Sequence, residues 1–275
     1  KLQSKKNIKY HYDLGNKFYE KWLDQSMTYS SAIFDTKNTN LLDAQQNKYK
    51  KIADSLSLNE NSKTLEIGCG WGGFSSYVAK NYKCKVDAIT ISKEQFDYTA
   101  SKIQKEGLGE KVAVHFKDYR EINNKYSNIA SIEMFEAVGK KYWNNYFEII
   151  QNSLAEGGKA ALQIITINEN RANDYQNRPD FIQQYIFPGG MLPTKNQLEI
   201  SAKEVGLKCL EILSFGKSYA KTLNIWNSQF QDSWNEVSSF GFDNKFKRMW
   251  EYYFSYCETG FLSSSTDVSH FLIKK

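Results

Sequence analysis

Long apolar runs, cysteine pairs and prolines are scarce in this chain of 275 residues. No stretch approaches the roughly 18 to 20 consecutive apolar residues that a membrane-spanning helix needs. No charged segment followed by an apolar core begins at Lys1, so nothing indicates a secretory signal. The four cysteines are widely spaced and form no zinc-ligand pattern. The composition therefore predicts a cytoplasmic protein with reduced thiols and no metal centre.

Basic and aromatic residues are abundant in the chain. The net charge is +5, and aromatic residues make up 15 % of the sequence. The basic residues cluster at Lys1, Lys5, Lys6 and Lys9, at Lys48, Lys50 and Lys51, and at Lys245, Lys247 and Arg248. Such clusters suit a nucleic acid or an anionic membrane surface, but an ordinary solvated surface explains them equally well. Charge alone therefore selects no partner.

Short apolar strands alternate with helix-length segments from about residue 63 onwards. The predicted strands are 63–67, 85–90, 112–116, 128–132, 159–167, 207–215 and 268–273. This alternation predicts an α/β fold, with a mostly parallel seven-stranded sheet and helices on both faces. The ligand is expected beyond the carboxyl ends of the strands, where the strand order reverses.

One domain accounts for residues 1–275. Residues 1–60 are expected to form a helical cap, and 218–262 a helical insertion before the last strand. Within the insertion, apolar residues recur at helical spacing, namely Phe242, Phe246, Met249, Trp250, Tyr253, Phe254 and Cys257. The spacing predicts one apolar helix face, which fits a core as well as a ligand channel.

A glycine-rich loop follows the first predicted strand, in the segment LEIGCGWG at 65–72. Gly68 and Gly70 let the backbone turn sharply and approach a ligand closely, and the loop also matches the dinucleotide pattern G-x-G-x-x-G. Glu66 suits the cationic amino-acid end of S-adenosylmethionine and would repel a pyrophosphate. The second strand ends uncharged at Thr90, where a nicotinamide site would need a carboxylate. The loop therefore favours methyl transfer over hydride transfer.

Eight motifs in the same order resemble those of the cyclopropane fatty-acid synthases and the related mycolic-acid and branched-fatty-acid methyltransferases. They are YHYDLGN at 10–16, MTYS at 27–30, the glycine loop, TISKEQ at 90–95, DYR at 118–120, MFEAVG at 134–139, YIFPGG at 185–190 and YAKTL at 219–223. The resemblance implies a class I, Rossmann-like methyltransferase fold. It also implies that 61–167 bind the cofactor and that 168–275 bind an acyl substrate.

The resemblance assigns the S-adenosylmethionine contacts residue by residue. They are Tyr29, Ser30 and Glu66 at the amino-acid end, Gly68, Gly70 and Trp71 in the loop, Thr90 and Gln95 at the ribose, and Asp118 and Tyr119 at the adenine. Purely local roles stay open for three of these residues. Thr90 could end a strand, Gln95 could be an exposed helix residue, and Asp118 could belong to a turn.

The implied reaction is methyl transfer to the double bond of an unsaturated phospholipid acyl chain, through a carbocation. In the family, the base is a bicarbonate ion held by a cysteine, a glutamate, a histidine and a tyrosine. Glu136 and Tyr219 match the glutamate and the tyrosine. Ser31 and Gln163 replace the cysteine and the histidine, and these replacements weaken the case for a bound bicarbonate.

Glu133 is an added carboxylate where the synthases usually carry a small residue. If a helix begins at 132–136, Glu133 and Glu136 share one face, and two close carboxylates raise one pKa. Glu133 could equally cap the helix start. Glu133 and Gln163 together favour a methyl- or methylene-branched product, with a cyclopropane as the other outcome.

The resemblance also implies an acyl channel and a membrane surface as partner. The channel residues are Tyr185, Phe187, Pro188, Gly189, Trp250 and Tyr253. The basic clusters would then dock on phospholipid headgroups at the inner membrane face, and no nucleic acid is expected. A homodimer and an oxidoreductase that reduces a methylene product stay open. The other functions considered are N-methylation of a small amine in a closed pocket and non-catalytic lipid binding, which the intact glycine loop disfavours.

Overall fold

The computed structural model describes residues 14–37 and 39–275. In this part of the chain, seven strands form one sheet in the spatial order β3-β2-β1-β4-β5-β7-β6. The strands are β1 (Lys63–Ile67), β2 (Lys85–Thr90), β3 (Val112–Phe116), β4 (Tyr126–Ile132), β5 (Leu154–Ile167), β6 (Lys208–Ser214) and β7 (Thr266–Lys274). Only β7 runs antiparallel to its neighbours. The predicted fold class is confirmed.

The first three strands have the predicted bounds, whereas β5 begins five residues earlier than the prediction at 159. The added segment contains Glu156, Gly157 and Gly158, which interrupt the apolar pattern. An irregular register near Tyr126 accompanies the extension. The polar and glycine residues thus hid the start of β5 from apolar periodicity, although Leu154 itself is buried.

Ten helices of four or more residues accompany the sheet within the described residues. They are α1 (Asn16–Tyr19), α2 (Leu41–Ser55), α3 (Gly73–Tyr82), α4 (Lys93–Lys105), α5 (Trp143–Ser153), α6 (Glu169–Asn177), α7 (Lys195–Glu204), α8 (Gly216–Asp232), α9 (Trp234–Ser239) and α10 (Asn244–Leu262). A short π-helical turn, Ile182–Ile186, follows α6. Side-chain caps set several helix starts, including a capping box in which Thr194 and Gln197 satisfy each other's backbone amides.

Helices cover both faces of the sheet. On one face, apolar residues of α5 and α7 pack against the strands, and on the other face residues of α2, α3 and α4 do so. Adjacent residues of β4, Ile129 and Ala130, contribute to opposite faces. This alternation follows from the two-residue period of a strand. Both faces of the central strands are therefore buried.

A third core joins the N-terminal segment to the helices before β7. Phe18 and Trp22 pack against Trp250 with ring centroids 4.9 and 5.6 Å apart. Trp226 of α8 completes the contact with Trp22 at 5.6 Å. Trp250 is 1 % exposed, so this predicted channel residue belongs to the core instead. It does so because the widest apolar side chain of α10 points into the aromatic cluster.

The expectation of a helical cap over residues 1–60 needs correction. Within the described part, only α1 and α2 are helices of this segment, and 20–40 have no helix. The carboxylate of Asp24 accepts hydrogen bonds from the backbone N–H and the hydroxyl of Ser26. Such local side-chain bonds compete with helix formation. Residues 10–13 and the lysines at 1–9 lie outside the described residues.

Among the described residues, none of the helices combines the length and the apolar character that crossing a bilayer requires.

Candidate active site

A cavity of about 1130 Å³ opens at the carboxyl ends of β1, β2 and β4. The strand order reverses there between β1 and β4, which is where ligands bind in open α/β sheets. All ten predicted cofactor residues line this cavity, as do Glu133, Glu136 and Tyr219. The cavity is larger than pockets for a single small molecule, which span roughly 300 to 1000 Å³. It has room for a nucleoside cofactor and a second ligand.

The glycine loop enters the cavity in a backbone conformation that favours glycine. Gly68 and Gly70 have φ angles of 79° and 53°. A Cβ atom on Gly68 would lie 2.8 Å from Cγ of Met134. The amides of Gly68 and Cys69 both donate to the carbonyl of Ile89, which holds the loop against β2. The loop therefore presents its backbone to the cavity at close range.

Glu66 is buried at the end of β1, with 3 % of its surface exposed. The Ser75 hydroxyl donates to one of its carboxylate oxygens. Burial raises the pKa of Glu66 to about 7, although hydrogen bonds from Ser75 oppose the shift. A cationic ligand beside this buried carboxyl group would lower its pKa, because a nearby positive charge favours the ionised form.

Thr90 and Gln95 lie side by side, and the threonine hydroxyl donates to the Gln95 side-chain oxygen at 2.9 Å. Both residues are buried, so the exposed-helix alternative for Gln95 does not hold. Asp118 is buried as well, and its carboxylate accepts hydrogen bonds from the guanidinium and the backbone amide of Arg120. Polar groups therefore border the cavity at the ends of β2 and β3.

Lys48 is a site residue that the sequence did not reveal. It was expected in a basic surface cluster, but its side chain is fully buried, because it projects from the face of α2 that packs on the sheet. Its ammonium group donates to Oγ of Ser30 at 2.7 Å, and Gln45 one turn earlier donates to the Ser30 carbonyl. Burial lowers the pKa of Lys48 to about 7, and Glu133 is the strongest charge opposing that shift.

Glu133 occupies the centre of a hydrogen-bond network. Its Oε1 accepts from the Ser31 backbone amide at 2.8 Å and from Nε2 of Gln163 at 2.7 Å, and its Oε2 accepts from the Tyr219 hydroxyl at 2.7 Å. Burial raises its pKa, whereas the Tyr219 hydrogen bond and the Lys48 charge oppose the rise. The carboxylate is thus buried but surrounded by donors.

The backbone at Glu133 differs from the expected helix start. Its φ is 50°, a left-handed value that is uncommon for a residue with a Cβ. The strand ends at Ile132, and only a short 3₁₀ turn, Phe135–Ala137, follows. Helix capping therefore does not explain Glu133.

Glu136 borders the cavity with one of its two oxygens unpaired. Oε1 accepts from the backbone amide of Ile165 at 2.6 Å, and Oε2 is buried without a hydrogen-bond partner in the described part of the chain. Burial, followed by the charge of Glu133, raises the pKa of Glu136 to about 8. The two carboxyl groups therefore influence each other, although no helix holds them.

Ser31 and Gln163 lie behind the cavity rather than in its wall, and neither side chain is exposed. The hydroxyl of Ser31 donates to the carbonyl of Ala32. Gln163 contacts His270, whose Nε2 is 2.8 Å from the Gln163 side-chain oxygen. His270 is 1 % exposed and was missed, because a lone histidine in an apolar strand carries no sequence signal.

The predicted channel residues divide into two groups. Phe187, Pro188, Gly189 and Tyr253 line the cavity, and the hydroxyls of Tyr253 and Tyr29 are 3.0 Å apart. Tyr185 does not line it and is 55 % exposed. Tyr185 lies in the π-helical turn, where its ring packs against Phe181 with centroids 5.4 Å apart.

Residues 1–271 match the family model described as mycolic acid cyclopropane synthetase. The chain belongs to this family. It shares 35 % identity over 97 % of its length with the tuberculostearic acid methyltransferase UfaA1 of Mycobacterium tuberculosis. It shares 37 % identity over 94 % of its length with the cyclopropane-fatty-acyl-phospholipid synthase of Escherichia coli. The chain spans 64 % and 66 % of these two relatives.

Solved structures agree with the family assignment. The cyclopropane synthase MmaA2 from Mycobacterium tuberculosis superimposes with a TM-score of 0.92 at 26 % identity, covering 98 % of both chains. The mycolic acid cyclopropane synthase CmaA1, complexed with S-adenosylhomocysteine and CTAB, gives the same TM-score at 25 % identity and the same coverage. The predicted family, Rossmann-like methyltransferase fold and S-adenosylmethionine dependence are confirmed.

Proposed function

We propose that this family member methylates a double bond in the unsaturated acyl chains of phospholipids and yields a methylene-branched fatty acid. Glu133 would be the base, in place of a bicarbonate ion. The observation that carries the proposal is the position of the Glu133 carboxylate. It accepts hydrogen bonds from Ser31, Gln163 and Tyr219, which stand at three of the four positions that hold bicarbonate in the family.

A bicarbonate ion does not fit this arrangement. The donors that would bind the anion already bind a carboxylate of the chain itself, and a second anion beside Glu133 would be repelled. A glutamate carboxylate offers the same planar pair of oxygens as bicarbonate. Glu133 therefore supplies the basic group directly, and no step needs a second anion.

The proposed reaction balances with the residues present. S-adenosylmethionine would supply the methyl group: the alkene electron pair would bond to the methyl carbon, and the sulfur–methyl bond would break with its electron pair staying on sulfur, which releases S-adenosylhomocysteine. The other alkene carbon would then carry a positive charge. A hydride shift moves the charge to the methylated carbon, and the new methyl group loses one proton to Glu133. The remaining electron pair forms the exocyclic double bond. Without the hydride shift, the same proton loss would close a cyclopropane ring.

The ionised form of Glu133 is the form that can take this proton. Three hydrogen bonds and the nearby charge of Lys48 favour that form, but burial outweighs them and leaves the pKa of Glu133 raised. The raised pKa makes the ionised carboxylate a stronger base. Aromatic side chains around the site, Tyr219 and Phe261, stack with centroids 4.4 Å apart. Such faces can stabilise a transient positive charge.

A long apolar substrate suits the cavity better than a small amine does. The amine hypothesis requires a closed pocket in which both glutamates contact the ligand. Instead, the lining extends to Tyr142 and Tyr252, which are 42 % and 51 % exposed. The cavity thus reaches the surface. The relatives named for fatty-acyl or mycolic-acid products add support for a lipid substrate.

The open end of the cavity is the surface that would meet the membrane. Three exposed cations line it together with Tyr252 and Tyr256: Arg171 on α6, Arg178 directly after α6, and Lys141 in the turn before α5. Interfacial tyrosines and basic residues favour contact with anionic headgroups. This surface replaces the predicted cluster at Lys48, Lys50 and Lys51, because Lys48 is buried.

Product analysis tests the proposed reaction. The protein is produced in a bacterial host that contains monounsaturated phospholipids and is fed methionine with a trideuterated methyl group. We expect fatty acids that have gained one CD2 unit, since one deuteron passes to the base. Ozonolysis should convert the product into a mid-chain ketone, which a cyclopropane would not form. A cyclopropane product would refute the branching step, and unchanged fatty acids would refute acyl methylation.

A rescue experiment tests the role of Glu133. Glu133→Gly removes the carboxylate and suits the left-handed backbone at this position. We expect the wild-type enzyme to work equally well with and without added bicarbonate. The variant should be inactive in bicarbonate-free buffer and regain activity when bicarbonate or formate is added. Full activity of the variant without an added anion would exclude Glu133 as the base.

Vesicle binding tests the proposed membrane surface. Arg171→Gln combined with Arg178→Gln should weaken co-sedimentation with phosphatidylglycerol vesicles. Lys63→Gln combined with Lys85→Gln is the matched control. These lysines are the first residues of β1 and β2, at the end of the sheet opposite to the cavity. Equal losses in the two double variants would refute a localised docking surface.

A further inference from the structure

We propose that His270 is a positioning residue that holds the Glu133 carboxylate in its productive geometry by acting through the side-chain amide of Gln163. The inference rests on the proposed role of Glu133 as the base. His270 does not line the cavity, so it would affect the reaction only through its neighbour.

The contact between His270 and Gln163 is built into the sheet. The two residues face each other in the antiparallel register of β7 and β5. Nε2 of His270 lies 2.8 Å from the amide oxygen of Gln163. The imidazole is 1 % exposed, and the ring of Phe215 packs edge-on against it at 4.9 Å. Little freedom remains for the ring to leave this contact.

The direction of each hydrogen bond follows from the donors available. The Gln163 NH2 group donates to Oε1 of Glu133 at 2.7 Å and to the carbonyl of Ser31 at 3.3 Å. The amide oxygen therefore faces His270, which must donate from Nε2–H. If the amide turned over, its oxygen would face the Glu133 carboxylate. The two orientations have nearly the same shape, so hydrogen bonding has to choose between them.

His270 suits this task because it stays neutral. Burial, followed by the charges of Lys48 and Lys51 on α2, lowers the pKa of His270 to about 3. It thus supplies one fixed N–H donor over the working pH range. The other titratable groups facing this network are Glu136 in the turn after β4 and Tyr219 on α8.

Loss of the His270 donor should make Glu133 harder to ionise. In His270→Leu, the Gln163 amide is no longer held with its NH2 group towards Glu133. A carboxylate that loses a donor has a higher pKa, so the acid limb of kcat should move to higher pH. We expect a shift of about one pH unit, which corresponds to a tenfold lower rate on the acid side. The KM for S-adenosylmethionine should not change.

The test measures kcat against pH on monounsaturated phosphatidylglycerol vesicles for a double-mutant cycle. His270→Leu and Gln163→Leu should each shift the acid limb, and the double variant should shift it no further than either alone. His270→Gln places an N–H donor at the reach of Nε2 and should restore the wild-type limb. If His270→Leu folds poorly in urea titrations, His270→Met replaces it as a donor-free side chain.

Two outcomes would overturn the inference: an unmoved acid limb in the donor-free variants, or additive shifts in the double variant. The activity of Glu133→Gln shows whether the role of His270 is wrong or the proposed base itself is wrong. If Glu133→Gln is active, the proposed base is wrong and the inference falls with it. If Glu133→Gln is inactive and the His270 variants keep the wild-type limb, only the inference is wrong.

Discussion

Replacing Glu136 by glutamine should stabilise the folded protein at neutral and alkaline pH. Burial and the charge of Glu133 raise the pKa of Glu136 from 4.5 to about 8. Between these values the folded protein binds more protons than the unfolded chain. The free energy of unfolding therefore falls as the pH rises through this window. The glutamine variant does not titrate and escapes that loss.

The size of the effect follows from the width of the window. A pH of 7 lies about 2.5 units above the pKa of Glu136 in the unfolded chain, and each unit corresponds to about 1.36 kcal/mol. The wild type therefore loses on the order of 3 kcal/mol in its free energy of unfolding. The hydrogen bond from the Ile165 amide survives in the variant, because a glutamine oxygen also accepts. The unpaired Oε2 becomes an unpaired amide nitrogen, so that cost changes little.

Urea unfolding of the wild type and the variant between about pH 5 and pH 8 checks this prediction. The difference in free energy of unfolding should be near zero at the acid end and grow by at most about 1.4 kcal/mol per pH unit. Glu94→Gln, at an exposed position on α4, controls for the loss of one surface carboxylate. A difference that stays constant with pH would refute the raised pKa. Cofactor affinity should be retained in Glu136→Gln, and its loss would make Glu136 a cofactor ligand.

Three further substitutions examine the cofactor site and the core. Lys48→Met removes the buried cation near Glu133, so the Glu133 carboxylate becomes harder to ionise. We expect about a tenfold lower kcat at neutral pH and a shift of the acid limb of the kcat profile to higher pH. An acid limb that stays in place would contradict this prediction. Gly68→Ala forces a left-handed alanine against Met134 and should cost about 1 to 2 kcal/mol of stability and weaken S-adenosylhomocysteine binding, as measured by calorimetry. Trp250→Ala should lower the free energy of unfolding by about 3 to 5 kcal/mol in urea titrations, and a loss below 1 kcal/mol would show that the aromatic cluster is not a core.

Sequence patterns determined the features of this protein that depend on neighbours along the chain. Strand periodicity located all seven strands, and the alternation with helices established the sheet with its covered faces. The order of short motifs identified the family, and the position of Glu66 before the glycine loop selected the cofactor. These inferences succeed because backbone geometry and turn chemistry are local.

Only the tertiary structure decided which distant residues meet. Ser31, Gln163 and Tyr219 are separated by up to 188 positions, yet all three donate to Glu133. Periodicity also could not tell a channel residue from a core residue, so Trp250 was misplaced. Lys48 was read as a surface charge, because composition does not record which face of a helix is buried. The base of the proposed reaction depends on packing between strands and helices, and no local pattern determines that packing.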